Sequence, residues 1–175
     1  MDKQLDHYEV MARKNEISFT KEIILILDDL KLLSNIAGIF RLSDGLQVAK
    51  IILLCNEDFV ISKKFRSIAR IHENHINYEI SNEKQVLDSL QKFEEEGYHI
   101  TALEFTDHSK PLTEIFNCKK HILIAGSEKH GIRKNLLKKV KQSVHIPMQG
   151  AISSLNVMQA VSIAVYEIRR SEFSK

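Results

Sequence analysis

The sequence predicts an α/β fold with a largely parallel sheet and helices on both faces, and three observations carry that prediction. Short Val, Ile and Leu runs alternate with longer amphipathic segments. Each run is followed by helix-forming sequence, the order of strand and crossover that a parallel sheet requires. Only 6 glycines and 2 prolines interrupt 175 residues, so linkers, low-complexity stretches and repeats are absent. A chain of this length that is 43% hydrophobic and 27% charged fits one compact domain and excludes a disordered one.

The elements follow in order. Residues 1–20 form a helical extension in which Leu5, Tyr8 and Met11 make one apolar stripe, suited to docking on the surface or to touching a substrate. Ile23 to Leu27 is the first strand, and Asn35 to Leu46 the helix after it, with Asn35 placed to cap it. Ile51 to Leu54 and His99 to Leu103 are strands, separated by helices over Lys63 to Ile71 and Glu83 to Glu96; the latter ends in the solvated run Glu94-Glu95-Glu96. Ile122 to Ala125 and Val144 to Ile146 complete the strands, with a helix over Ile132 to Val140 between them. In the last helix, Ser154 to Arg170, apolar residues such as Leu155, Val161, Ile163 and Val165 cover most of the circumference, so it is buried on more than one side, in its own domain or against another subunit.

Composition narrows the function classes. Lys plus Arg number 25 against 23 Asp plus Glu, a net charge of +2, so an acidic partner must meet a local patch rather than a basic tail. Two such patches exist: Lys63, Lys64, Arg66 and Arg70, and Lys129, Arg133, Lys134, Lys138 and Lys139. Each also suits a plain solvated helix face. Cys55 and Cys118 are too few and too scattered for a disulfide framework or zinc site and read as buried thiols of a reducing compartment. The 8 histidines are dispersed, His72 and His75 lack further ligands, and no metal is expected. Met1 to His7 is polar where an exported chain carries an apolar core, and Gln142 to Tyr166 is broken by Pro147 and Gly150, which points to a cytoplasmic protein without a membrane span.

Three segments combine special backbone residues with polar side chains. In Ser34 to Arg41, Asn35 and Arg41 lie on different faces of one helix, and an arginine among Ile39, Phe40 and Leu42 suits a carboxylate or phosphate. In Ile124 to Arg133 a strand meets a turn bounded by Gly126 and Gly131, where ligands of open α/β sheets gather. The spacing is that of a P-loop, but Ile132 and Arg133 replace its Lys and Ser/Thr; no GxGxxG occurs either. In Ile146 to Val157 an irregular loop carrying Ser154 and Asn156 leads into the apolar helix, and free amides at that helix start face a polar ligand.

In this order the three segments resemble the SpoU/TrmH-type RNA 2′-O-ribose methyltransferases of the SPOUT superfamily. The likeness runs from about Ile23 to Arg170 and rests on Asn35 and Arg41; on Gly126, Glu128 and Gly131; and on Ile146-Pro147-Met148 with Ser154-Leu155-Asn156-Val157. Ala37-Gly38 and Met158 depart from the family's usual residues, which touches packing more than chemistry. The resemblance implies a C-terminal trefoil knot, an exception to unknotted topology, within a SPOUT methyltransferase domain over 21–175. It implies a homodimer built on the knotted region, and S-adenosylmethionine bound against Leu103, Gly126, Ile146, Met148, Ser154 and Leu155. The separate N-terminal RNA-binding domain of some relatives is not expected.

The implied reaction methylates a ribose 2′-hydroxyl in tRNA or rRNA, without metal. Arg41, too basic to take a proton at neutral pH, would bind a phosphate and stabilise developing negative charge. Asn35 and Glu128 would orient Arg41 and the ribose, while Asn156 and Ser154 shape the donor pocket. Lys63, Lys64, Arg66, Arg70, Lys129 and Arg133 would hold RNA phosphates. Two other classes remain: a catalytically idle RNA-binding homodimer, and a SPOUT enzyme acting on a base nitrogen, against which the Asn35 and Arg41 pair argues.

Overall fold

The computed structural model describes residues 3–13, 18–55, 59, 62–69 and 76–173. Its strands are β1 (Glu22–Asp28), β2 (Lys50–Leu54), β3 (Tyr78–Ser81), β4 (His99–Leu103), β5 (Lys110–Pro111), β6 (Lys120–Gly126) and β7 (Gln142–His145). They form one sheet in the order β3-β2-β1-β6-β4-β7-β5, and every neighbouring pair is parallel. The helices are α1 (His7–Arg13), α2 (Leu33–Gly45), α3 (Lys63–Ala69), α4 (Glu83–Glu95), α5 (Lys134–Leu137) and α6 (Val157–Arg170).

The period of two in β1 builds both cores. Ile23, Leu25 and Leu27 join Ile36, Phe40 and Phe65, together with Val161 and Val165 of α6, on one face. Ile24 and Ile26 join Val86 and Leu90 of α4 and Leu136 of α5 on the other. A strand apolar on both sides must be central, and β1 and β6 are paired along their full lengths in the middle of the sheet.

All five expected strands are present. Strands β3 and β5 were not expected, because β3 is partly exposed and alternates weakly, while β5 is a two-residue edge strand ending in proline. The helix expected over Ile132 to Val140 shrinks to α5, because the backbone amides of Ile132 and Arg133 bond to the side chains of Glu104 and Asp28 instead of opening a helix. Helix α2 begins before Asn35, with Leu32 at its cap, so Asn35 is not the capping residue. The helix expected to Ile71 is described as far as Ala69; Arg70, His72 and His75 lie outside the described residues. Of the apolar stripe expected on residues 1–20, Tyr8 on α1 is 84% exposed and Leu5 is half-buried. Both cysteines are half-buried rather than fully buried.

Helix α6 is covered by its own domain along Val157, Val161, Ala164, Val165 and Ile168, and it exposes a narrower strip at Ile163 and Tyr166. Met158 explains a departure noted in the sequence: a Cβ on Gly38 would lie 2.8 Å from Met158 Cγ, so the long side chain fills the room the glycine leaves between α2 and α6. Among the described residues no helix is long and apolar enough to cross a membrane.

Candidate active site

The carboxyl ends of β4, β6 and β7 open into a cavity of about 210 Å³. Its floor is apolar, made by Leu103, Ala125 and Val144 at the strand ends with Val157 and Ala160 from α6. One wall is the turn from Gly126 to Gly131, contributing Ser127 and Glu128. The opposite wall is the loop into α6, with Ile146, Met148, Ser153, Ser154 and Leu155. All the residues expected to hold the cofactor therefore meet at one place.

The turn folds tightly on itself. Gly131 N–H donates to the Ser127 carbonyl at 2.8 Å, and Gly131 sits at φ 63°, in the left-handed region that suits glycine. A Cβ on Gly126 would lie 2.1 Å from the Gly131 carbonyl carbon. Gly126 is thus required by the turn's own backbone.

Three distant segments are joined by one relay of amides. Asn156 caps α6, its Oδ1 accepting from Met158 N–H at 2.9 Å. Its Nδ2 donates to Asn35 Oδ1 at 3.0 Å, and Asn35 Nδ2 donates to a carboxylate oxygen of Glu128. The amide of Asn35, buried inside α2, is held at both ends, which is why it is not spent on capping. Arg41 does not join this relay. It lies on the exposed side of α2, about 9 Å further along the helix axis, and has no hydrogen-bond or ion-pair partner among the described residues.

The cations separate into two groups. Lys63, Lys64 and Arg66 are exposed on α3, which packs against α2, and Lys129 is exposed on the turn. Arg133, expected among the RNA-binding residues, is engaged by carboxylates in the structure. Its N–H donates to Asp28 Oδ2 at 2.8 Å, its Nε lies 3.0 Å from Asp28 Oδ1, and its Nη1 lies 3.3 Å from Glu83. Burial pushes the Asp28 carboxyl up, and Arg133 pulls it back. This ion pair ties the far end of the turn to the end of β1.

Sequence reasoning missed the rim. Glu104, Phe105 and His145 line the cavity mouth. Phe105 is 77% exposed, with its ring centroid 4.6 Å from that of His145, whose Nδ1 lies 2.9 Å from Ser109 Oγ. The available signal was position alone: these residues follow strands whose neighbours carry the site.

The lining also tests the implied cofactor. Among the described residues it includes two carboxylates, Glu104 and Glu128, and neither lysine nor arginine. A phosphate-rich nucleotide would find no counter-charge here, whereas a flat adenosine bearing a cationic sulfonium suits an apolar floor with acidic walls. Among the described residues no group of three or more His, Cys, Asp or Glu side chains is placed to hold a metal ion.

The fold and cavity define an α/β protein whose cavity lies outside the carboxyl ends of parallel strands, where sheets of this class gather their ligands. The chain belongs to the SpoU rRNA Methylase family, which matches residues 22–166. A tRNA (guanosine(18)-2′-O)-methyltransferase of Aquifex aeolicus is 26% identical over 180 residues, an alignment covering 100% of this chain and 80% of that protein. A mouse tRNA (guanosine(18)-2′-O)-methyltransferase is 27% identical over 139 residues, covering 79% of this chain but only 9% of the mouse protein. Among solved structures, an AdoMet-bound rRNA methyltransferase from Sinorhizobium meliloti has the same fold, with TM-score 0.78 at 23% identity, over 89% of this chain and 59% of that one.

Proposed function

We propose that this chain transfers a methyl group from S-adenosylmethionine to a ribose 2′-hydroxyl of tRNA or rRNA. The observation that carries this reading is the relay from Asn156 through Asn35 to Glu128, which draws the three motif segments around one cavity whose described lining holds no lysine or arginine. When bound, the cofactor would supply a methyl group activated by its sulfonium for transfer to the ribose oxygen, which would give up its proton to solvent, while the methyl donor would leave as the neutral thioether.

The chain's own residues align the reactants and manage charge. Leu103, Gly126, Ile146, Met148 and Leu155 hold the adenosine and exclude water. Asn156 fixes the start of α6, and Ser154 shapes the donor pocket beside it. Glu128, held by Asn35, orients the ribose. Arg41 grips the phosphate next to the target and stabilises the negative charge that grows on the attacking oxygen. Its distance from the relay along α2 favours service in the cavity of a partner protomer.

The proposed assembly is therefore a symmetric homodimer, with the exposed strip at Ile163 and Tyr166 of α6 in the contact. Residues 21–175 form the methyltransferase domain, with the C-terminal segment threaded as a trefoil knot, and 1–20 an extension. RNA phosphates meet Lys63, Lys64, Arg66 and Lys129, with Arg70 continuing the run, and the protein works in the cytoplasm.

Single-turnover transfer of labelled methyl to an RNA, and to the same RNA with 2′-deoxyribose at the target nucleotide, tests the reading. Transfer to the first alone is expected. Equal transfer to the deoxy substrate would assign the reaction to a base nitrogen. RNA binding without cofactor binding would leave an idle RNA-binding dimer.

A further inference from the structure

Charge in the cavity is one-sided. Of its two carboxylates, Glu128 is taken up by Asn35, whereas Glu104, half-buried just beyond β4, has backbone partners only. Glu104 Oε2 accepts from Ile132 N–H at 3.1 Å, and its Oε1 accepts from Phe105 N–H at 3.2 Å. No lysine or arginine lines the cavity, and none pairs with Glu104 among the described residues. These two N–H groups hold the carboxylate in place without cancelling its charge, and at a partly dry wall its field is screened less than in open solvent.

We propose that Glu104 makes the cavity selective for charge, favouring the cationic sulfonium donor over the neutral thioether left after methyl transfer. The inference rests on the methyl-transfer reading and names a discriminating residue that this reading does not require. Donor and product share the adenosine and the amino-acid tail, and they differ by one methyl group and one positive charge. Apolar floor contacts and hydrogen bonds to the shared parts hold both alike and cannot by themselves clear the product. A fixed negative charge can, because its attraction disappears at the moment the sulfonium becomes a thioether. Selection by Glu104 thus couples chemistry to product release, with fresh donor taking the vacated site.

Glu104 also pins the turn through the bond it accepts from Ile132 N–H, at a spot where a Cβ on Gly131 would lie 2.5 Å from its Oε2. The test must separate charge from pinning. Calorimetry on the full chain would give the affinities of S-adenosylmethionine and S-adenosylhomocysteine for wild type, Glu104→Gln and Glu104→Asp. Glu104→Gln keeps the shape and loses the charge, so the preference for donor relative to product should fall on the order of 10-fold. Glu104→Asp keeps the charge and shortens the reach, so both affinities should fall together with their ratio kept.

An unchanged ratio in a folded Glu104→Gln, or equal losses for both ligands there, would overturn the inference and leave methyl transfer standing. Failure of wild type to bind either ligand would instead remove the methyl-transfer reading beneath it. Ionic strength provides a check without any substitution: between about 20 mM and about 500 mM salt the donor should weaken more than the product. Equal salt dependence of the two ligands would count against charge selection even if Glu104→Gln does not fold.

Discussion

Arg169 and Glu104 sit at opposite ends of the same sheet and meet opposite fates. Arg169, 1% exposed at the amino end, spends its guanidinium entirely on the protein. It donates to the carbonyls of Lys21 at 2.6 Å, Leu46 at 3.0 Å and Gln47 at 2.8 Å, pairs with Glu172 at 2.8 Å, and stacks on Phe19. Glu172 in turn collects Thr20 N–H at 2.6 Å, the Thr20 hydroxyl at 2.8 Å and Lys21 N–H at 3.0 Å. Burial would raise the Glu172 carboxyl, but Arg169 and these donors outweigh it and hold it down at about 2. At the carboxyl end, Glu104 is held in place by backbone N–H groups and has no lysine or arginine partner among the described residues. The closed end anchors the last turn of α6 to the start of β1, and the other end of the helix then presents Val157, with Leu155 just before it, to the cavity. One end fixes the frame so that the other can keep charge available.

The largest effect should come from breaking the closed end. Glu172→Ala leaves the Arg169 charge buried without its partner, and removing one member of a buried pair costs about 3 to 5 kcal/mol. Urea unfolding should show that loss, while cofactor affinity in the remaining folded protein stays close to wild type. A loss under about 1 kcal/mol would show that water or other donors compensate, and the contrast between the ends would fail.

The complementary break is at Arg41, exposed and without a partner among the described residues, whose removal should leave unfolding unchanged. Arg41→Ala should lower single-turnover methyl transfer by roughly 100- to 1000-fold, about 2.7 to 4 kcal/mol, by analogy with deleting one donor to a developing oxyanion. Arg41→Lys should fall nearly as far, since a point charge does not reproduce a planar fork. Full activity of Arg41→Ala would take Arg41 out of the reaction.

The same contrast governs what could be read in advance. Strands β1, β2 and β6 were legible because runs of branched apolar residues need burial on both faces, a local and strong pattern, and β4 and β7 were legible from shorter apolar stretches around Ile100 and Val144. The three site segments were legible because glycine, proline and amide residues in fixed order carry chemistry of their own. Pairings were not legible. Asn35 has the composition of a helix cap, and only Glu128 and Asn156, far along the chain, give its amide a better use. Arg133 sits in a basic run, but Asp28, 105 positions away, claims it. Glu104 looks like any acidic residue after a strand until the turn from Gly126 folds over it. Long-range polar satisfaction is a property of the assembled sheet, and no window of sequence contains it.

A subtler probe of the closed end is acid. His121 is fully buried in β6, with Nε2 2.9 Å from the Cys118 carbonyl oxygen. Burial pushes its imidazole down from 6.5 to about 4, more than the Cys118 contact restores, and nearby Lys21 adds to the shift. The unfolded chain therefore binds a proton at His121 that the folded chain refuses between pH 6.5 and about 4. Stability should fall as pH is lowered through that window, by roughly 2 kcal/mol. His121→Gln keeps a donor and cannot titrate, so its unfolding free energy should vary less with pH over the same range. Parallel pH profiles for the two proteins would show that His121 is protonated without cost.

The smallest effects belong to the exposed cations of α3, whose side chains support neither core. Lys63 and Lys64 are exposed, while Phe65 and Ala69 of the same helix are buried beneath them. Each should contribute one phosphate contact, with no say in which nucleotide is chosen. Lys63→Ala should leave unfolding within about 0.5 kcal/mol of wild type. It should weaken RNA binding modestly and reduce the slope of log affinity against log salt by about 1. Single-turnover methyl transfer at saturating RNA should be retained, because only delivery of the substrate is affected. A double variant, Lys63→Ala with Lys64→Ala, should reduce the slope by about 2 if both touch phosphates on one RNA. An unchanged salt slope in both variants would move the RNA path off α3, leaving Lys129, at the turn that walls the cavity, as the nearer of the proposed phosphate contacts.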